Sequence, residues 1–272
     1  MIAPRISYSA ARALDECPRR YALSFTAVLP SFQSSLHLGQ AIHAAAARAA
    51  DITHKTGTVP GLDEIAPVFS AALNQLPIAR NPPGRQILDE LFELGLPKLE
   101  VFLKVIAPRL RQMQRLETEK WVNVNLGSGE HEVLVSGRID LLFFDPMKSR
   151  LVLLDLKTGR APEESGSNPQ LAAYIAAART DATLNADFGP DIRIDAFSVY
   201  LEPPAPTFQD YDQETHLQND LEYLVKSGTR ASEMTEFPAR ASAACAYCQY
   251  FEHCYPNGML PKASVSVVLP TA

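Results

Sequence analysis

Asp140 and Asp155 stand where carboxylates are expensive. Gly137-Arg138-Ile139-Asp140 leads into Leu141-Leu142-Phe143-Phe144, and Leu151-Val152-Leu153-Leu154 leads into Asp155-Leu156-Lys157. Each acid interrupts or closes an apolar, strand-like run, and burying it there is costly unless it is paired or bound to a metal. Two carboxylates on adjacent, hairpin-connected strands, with a lysine two residues after the second, form a site for a divalent cation. Oxygen ligands suit Mg²⁺ or Mn²⁺. Strand side chains repeat every two residues, so Lys157 shares a face with Asp155, where it would orient or deprotonate an attacking water. The plainer reading of the same residues is a salt bridge between Asp155 and Lys157 at a strand end.

Sulfur chemistry is confined to four residues, Cys17, Cys245, Cys248 and Cys254. In a reducing compartment, a CxxC pair reads as redox or metal chemistry before it reads as a structural disulfide. A CxxC-x5-C run with a fourth cysteine far upstream can hold Zn²⁺, hold an iron–sulfur cluster, or remain as thiols, and spacing alone leaves all three open.

The net charge of −6 and pI near 5.6 argue against a protein that coats nucleic acid non-specifically. They leave room for a local basic channel. Two clusters could supply one: Arg5, Arg12, Arg19 and Arg20, and Lys104, Arg109, Arg111, Arg115 and Lys120. The ordinary reading of such clusters is a solvated face.

These residues need elements to position them. With 272 residues, 46% of them hydrophobic, the chain can bury a sizeable core. No apolar run approaches the ~20 residues of a membrane span, and the start of the sequence lacks a signal-peptide stretch, so a soluble cytoplasmic protein is expected. Helices are expected over 7–26, opened by Ser7-Tyr8-Ser9, and over 36–53 around His43. More follow over 62–76 and 86–115, the last kinked or split at Gly95 and Pro97. The period then becomes strand-like over 121–126, 133–144 and 151–156. A helix over 168–180, a strand over 196–201 and a helix over 212–227 lead to the cysteine-rich end. This order describes an α/β domain with an N-terminal helical insertion.

Several of these residues recur in one order that resembles the PD-(D/E)XK nuclease superfamily, and within it the RecB-like, CRISPR-associated exonuclease branch. The opening Ile6-Ser7-Tyr8-Ser9 through Cys17-Pro18-Arg19-Arg20-Tyr21 resembles the branch's first helix and first cluster cysteine. Gly39-Gln40-Ala41-Ile42-His43 is similar to its GxxxH motif. Gly137-Arg138-Ile139-Asp140 and Asp155-Leu156-Lys157-Thr158-Gly159 are similar to its two central motifs. Gln170-Leu171-Ala172-Ala173-Tyr174 is similar to its QxxxY motif, and Cys245, Cys248 and Cys254 to its AddB-like terminal cysteines. No one motif would suffice; their collinearity over residues 6–254 carries the resemblance.

The resemblance implies a restriction-endonuclease-like core, a mixed central sheet flanked by helices, with an iron–sulfur staple joining the two ends. It implies one nuclease domain over 1–254, with a helical part at about 36–116, a core at about 117–201, a C-terminal helix and cysteine cluster at about 208–254, and a tail over 255–272. It implies that His43, Asp140, Asp155 and the main-chain carbonyl of Leu156 hold a divalent cation, that Lys157 positions the attacking water, and that Gln170 and Tyr174 support the site or touch the DNA backbone. Glu119 stands where the branch often carries a glutamate, but Glu117 competes, and Glu119 reads as a solvated helix-end charge. Cys17, Cys245, Cys248 and Cys254 would hold a structural [4Fe–4S] cluster.

The implied function is a Mg²⁺- or Mn²⁺-dependent deoxyribonuclease, an exonuclease on single-stranded DNA or duplex ends. Its setting would be DNA repair and recombination or CRISPR spacer processing. The chain carries no phosphate-cradling GxxxxGK[ST] loop, so unwinding would come from a helicase partner, and a CRISPR integrase is the other expected partner. The alternative is an inactive DNA-binding or scaffold module of the same fold. That alternative predicts a damaged site, and His43, Asp140, Asp155 and Lys157 are all in place.

Overall fold

A computed structural model of the chain describes residues 3–26, 34–76, 82–163 and 166–254. They fall into two compact units, each discontinuous in sequence. A terminal unit is drawn from within 1–32, 123–137 and 217–272, and a central unit from within 33–122 and 138–216. The tail expected over 255–272 lies outside the described residues.

In the terminal unit, β1 (Arg5–Ile6) runs parallel to the start of β3 (Val133–Asp145), with Arg5 opposite Leu134 and Ile6 opposite Val135. Ser7 caps α1 (Tyr8–Glu16), its hydroxyl accepting from the Ala10 N–H at 3.2 Å. The single helix expected over 7–26 is broken. Cys17 is extended, with φ −161°, and α2 (Pro18–Leu23) starts afresh. Pro18 has no N–H to continue α1, and its ring drives the preceding residue out of the helical region. Cys17 therefore sits on a corner. The helix expected over 212–227 is α9 (Gln213–Glu233), which continues past Gly228. Gly228 is a packing notch, since a Cβ there would overlap Val133. Leu14, Tyr21, Ala22, Ala231 and Phe237 form this unit's core. Asp15 ties α1 to α9, accepting from the Tyr223 hydroxyl at 2.6 Å and from Arg230 at 2.9 Å.

The central unit begins with α3 (Ser34–Thr56), α4 (Leu62–Asn74) and α5 (Pro82–Val101). Buried Ala41, Ala45, Ala46, Ala49 and Ala50 keep one face of α3 small enough for close neighbours. Neither Gly95 nor Pro97 splits α5. Gly95 instead makes room for α4, because a Cβ would overlap the Phe69 ring. The irregularity comes later, as a π turn over Phe102–Ile106 ahead of α6 (Ala107–Leu110). The Ala107 N–H reaches back to the Phe102 carbonyl, and Pro108, lacking an N–H, cannot restore the α pattern.

Residues 114–120, expected to end a helix and lead toward the first strand, belong to β2 (Gln114–Leu126), which pairs with β3. β3 runs antiparallel to β4 (Arg150–Lys157), β4 parallel to β5 (Arg193–Tyr200), and β5 antiparallel to β6 (Thr207–Asp210). Leu151–Leu156 are buried at every position, as befits a central strand covered on both faces. α7 (Pro169–Thr180) packs against β4 and β5, followed by α8 (Ala182–Phe188). β6 was not expected: it is short, mostly exposed and lacks an apolar alternation. Nor was α8, although Asp181 caps it by accepting from the Thr183 and Leu184 N–H groups. Among the described residues, no helix is long and apolar enough to cross a membrane.

Candidate active site

The β3–β4 ladder ends on the pair Leu141 and Leu154, and the next positions in register are Asp140 and Asp155. Two carboxylates opposite one another repel, and the ladder stops where they begin. The Leu156 N–H turns to a side chain instead, donating to Asp140 Oδ2 at 2.6 Å. Asp140 and Asp155 are almost fully buried, 5% and 2% exposed, as the sequence implied for groups needing compensation. Burial, with the Asp140 charge adding to it, pushes the Asp155 carboxyl up to about 6, against the opposing pull of Lys157.

α3 brings His43 to Asp140. Its Nδ1 lies 3.1 Å from Asp140 Oδ1. Burial works against the imidazolium, but the Asp140 hydrogen bond and the charges of Asp140, Asp155 and Glu119 outweigh it and raise the His43 pKa. The glycine of the same motif has a steric role. A Cβ on Gly39 would stand 3.3 Å from Thr158 Oγ1, so the helix can approach the end of β4 closely.

Glu119 corrects the sequence reading. It is not a solvated helix-end charge but a half-buried residue of β2, and its ligand atom lies within 4.8 Å of those of His43 and Asp140. Its backbone is left-handed, φ 51°, a conformation that costs a non-glycine residue roughly 1–3 kcal/mol and clusters at functional sites. Oε2 meets Arg138 Nη1 at 2.7 Å, while Oε1 is buried without a hydrogen bond. Burial raises the Glu119 pKa, Arg138 opposing. Its competitor Glu117 is engaged elsewhere. Burial would raise its carboxyl, but hydrogen bonds from Lys120 and Arg115, both at 2.9 Å, hold it below the usual range. The missed signal was the strand itself, hidden by the helix assigned through Arg115.

Lys157 forms an ion pair with Asp155 Oδ2 at 2.6 Å and donates to Gln170 Oε1 at 2.9 Å. Burial disfavours its ammonium, but the Asp155 charge prevails and raises its pKa, so it is a cation at neutral pH. The QxxxY pair forms a directed chain behind it. Tyr174 donates to the Arg138 carbonyl at 2.6 Å and accepts from Gln170 Nε2 at 2.8 Å, which leaves Gln170 Oε1 facing Lys157. Tyr174 is only 3% exposed, which removes it as a DNA contact. Asn168 seats this helix, capping the Leu171 N–H at 3.2 Å and donating to Ser198 on β5 at 3.1 Å.

In the terminal unit all four cysteines line one cavity, with Glu16, Arg20, Arg240 and Phe251 among its other walls. Cys17 Sγ accepts from the Arg240 N–H at 3.4 Å and Cys245 Sγ from the Ser242 N–H at 3.5 Å. Burial pushes the Cys248 and Cys254 thiols up, with the neighbouring cysteines adding to it. No three of these sulfurs lie within 4.8 Å of one another.

The basic clusters are largely spent on structure. Arg12 and Arg20 both pair with Glu16, at 2.8 and 2.6 Å; Arg5 bonds Ser136 and Arg19 is buried. Lys104 pairs with Glu100, Arg115 with Glu117 and Asp187, and Lys120 with Glu117 and Asp181, while Arg109 lies over the Phe208 ring.

A mixed sheet flanked by helices, with buried carboxylates and a lysine at the opening of its central hairpin, defines a nuclease class of site. The family model of the PD-(D/E)XK nuclease superfamily matches residues 5–255, and the chain belongs to that superfamily. The fold fits its restriction-endonuclease-like architecture, and its nucleases use divalent metals. Among solved structures, the crystal structure of SSO0001 matches at 15% identity over 92% of this chain and 95% of that one, with a TM-score of 0.37. A search of curated proteins gives no match.

Proposed function

We propose that the chain is a divalent-metal-dependent deoxyribonuclease of the RecB-like branch. It would act as an exonuclease on single-stranded DNA or DNA ends, in the cytoplasm, in DNA repair or CRISPR spacer processing with a helicase or integrase partner. The observation that carries the metal reading is the trio His43, Glu119 and Asp140, with ligand atoms within 4.8 Å, beside the Asp155–Lys157 ion pair. Three carboxylates, Glu119, Asp140 and Asp155, stand with Lys157, Arg138 and the His43 imidazole, and one oxygen of Glu119 is buried without a hydrogen bond. Such a donor set fits Mg²⁺ or Mn²⁺.

His43, Asp140 and Glu119 would hold the cation, with Asp155 and the Leu156 carbonyl completing its oxygen ligands. The N–H and C=O of one strand residue face the same neighbour, and the Leu156 N–H already points at Asp140. When bound, the cation would acidify water and offset negative charge developing on a phosphodiester. Lys157, held protonated by Asp155, is a hydrogen-bond donor to the attacking water and to the phosphate oxygens rather than a base. Gln170 and Tyr174 are positioning residues that fix the ammonium through the chain of hydrogen bonds behind it.

The four cysteines would hold a structural [4Fe–4S] cluster. Backbone N–H groups aimed at Cys17 and Cys245 suit sulfur ligands that carry charge.

Anaerobically purified protein, incubated with end-labelled single- and double-stranded DNA, tests the reading. Mn²⁺ should support cleavage at least as well as Mg²⁺, and Ca²⁺ should support binding with little cleavage. Robust cleavage in excess EDTA would overturn it.

A further inference from the structure

Trp121 is the only tryptophan in the chain, and it is 70% exposed. The next residue on β2, Val122, is buried, so the strand turns its largest apolar side chain outward and a smaller one inward. An indole hides more apolar area than almost any other side chain, and folding alone does not select this arrangement. The ring is not isolated, however. The Arg138 guanidinium lies over it, 5.8 Å from the centroid, and the same guanidinium holds Glu119 at 2.7 Å. Glu119 stands two residues from Trp121, about 7 Å along an extended strand, and belongs to the trio with His43 and Asp140. One arginine thus joins an exposed aromatic face to the candidate hydrolytic site.

We propose that Trp121 is a base-stacking platform for single-stranded nucleic acid and that Arg138 steadies it and meets the adjacent phosphate. This rests on the nuclease reading and specifies its substrate class. A flat π face takes any unpaired base, and a guanidinium beside it matches the phosphate that follows. Bases in an intact duplex are already stacked on one another and cannot use the platform. Selection of unpaired strands would therefore be built into the rim of the site.

The lone tryptophan makes the test direct, because emission excited at the red edge, beyond tyrosine absorption, reports on Trp121 alone. Oligothymidylate added in Ca²⁺, where cleavage is suppressed, should quench the emission, and an abasic strand of equal length should quench far less. In Mn²⁺, Trp121→Ala should raise KM for single strands on the order of 10- to 100-fold, with kcat changing far less, and Trp121→Phe should recover most of the loss. Unchanged emission, equal quenching by the abasic strand, or an unchanged KM in Trp121→Ala would overturn the proposal. So would a Trp121→Ala variant that binds single strands normally but loses self-association in the ultracentrifuge, which would assign the indole to a protein contact. If the chain cuts no DNA, the nuclease reading falls, while the emission titration still decides whether bases stack on Trp121.

Discussion

The central and terminal units each gather chemically active side chains, but support them differently. In the central unit, His43 stands on a 23-residue helix, Asp140 in a 13-residue strand, and Lys157 at the end of a buried eight-residue strand. Each is already engaged by a neighbour: Asp140 by His43 and Leu156, Lys157 by Asp155 and Gln170. In the terminal unit, Cys17 sits at a helix break, Cys245 and Cys248 on and just after a 3₁₀ turn, and Cys254 at the end of α10 (Phe251–Cys254). The apolar support around the last of these is small, Leu23 and Tyr250 with parts of Ala239 and Cys248. A hydrolytic site must have its geometry before the substrate arrives, so it is built on long elements. A structural cofactor, as proposed for the four cysteines, would supply geometry to whatever binds it, so turns would suffice.

That contrast is open to experiment. The largest effect is expected in the terminal unit. Cys17 lies 228 residues before Cys245, and closing so long a loop is worth up to roughly 5 kcal/mol by the disulfide formula. Cys17→Ser should lose iron and stability together, read by iron and sulfide content and by thermal melting. Full iron content with unchanged melting would show that Cys17 is not joined to the other three. In the central unit the damage should fall on rate instead. Lys157→Ala should lower kcat about 10²–10³-fold while the melting temperature and DNA affinity stay close to wild type. Collapse of the fold in this variant would erase the contrast between the units.

Smaller effects sharpen the picture of the central site. If the proposed cation site is right, cation binding would displace protons from Asp155, whose carboxyl is pushed from 3.8 up to about 6, and from His43, whose pKa is also raised. Cation affinity, measured by calorimetry, should therefore rise with pH through about 6, where Asp155 ionises, and keep rising above 6.5 until His43 has lost its proton. In EDTA the sign reverses for stability: the contribution of protonated Asp155 is present below 3.8 and is lost as pH rises through about 6. Equal cation affinity at pH 5 and pH 7 would contradict these assignments. Smallest of all, Tyr174→Phe should free Gln170 to turn and cost kcat about 10-fold with little change in KM, consistent with the loss of the two hydrogen bonds its hydroxyl makes, to the Arg138 carbonyl and from Gln170.

Much of the central site was legible because its motifs fall on elements whose periodicity is strong. Asp140, Asp155 and Lys157 follow from apolar runs ended by charge on adjacent, hairpin-connected strands, while the register that sets the two acids opposite each other is seen only in the structure. His43 and the Gln170–Tyr174 pair were legible only through the resemblance, since a histidine on an alanine-rich helix carries no signal of its own. Glu119 was lost for a physical reason. Arg115 and Glu119 both adopt left-handed backbone within β2, which breaks the alternation that marks a strand. Gly95 does not split its helix; a glycine that admits a neighbouring ring looks, in sequence, like one that ends a helix. The break at Cys17 was readable in principle from Pro18, whose effect on the preceding residue is general.

The central claim is that the cluster around Asp140 is the hydrolytic centre. Asp140→Asn tests it with the least disturbance, because the amide oxygen can still accept from the Leu156 N–H while the charge is lost. Single-turnover cleavage of end-labelled single-stranded DNA in Mn²⁺, with DNA affinity measured in Ca²⁺, gives both readouts on folded protein. The site described here predicts cleavage slowed on the order of 10³-fold, with affinity changed only severalfold. Cleavage by Asp140→Asn at the wild-type rate would contradict it.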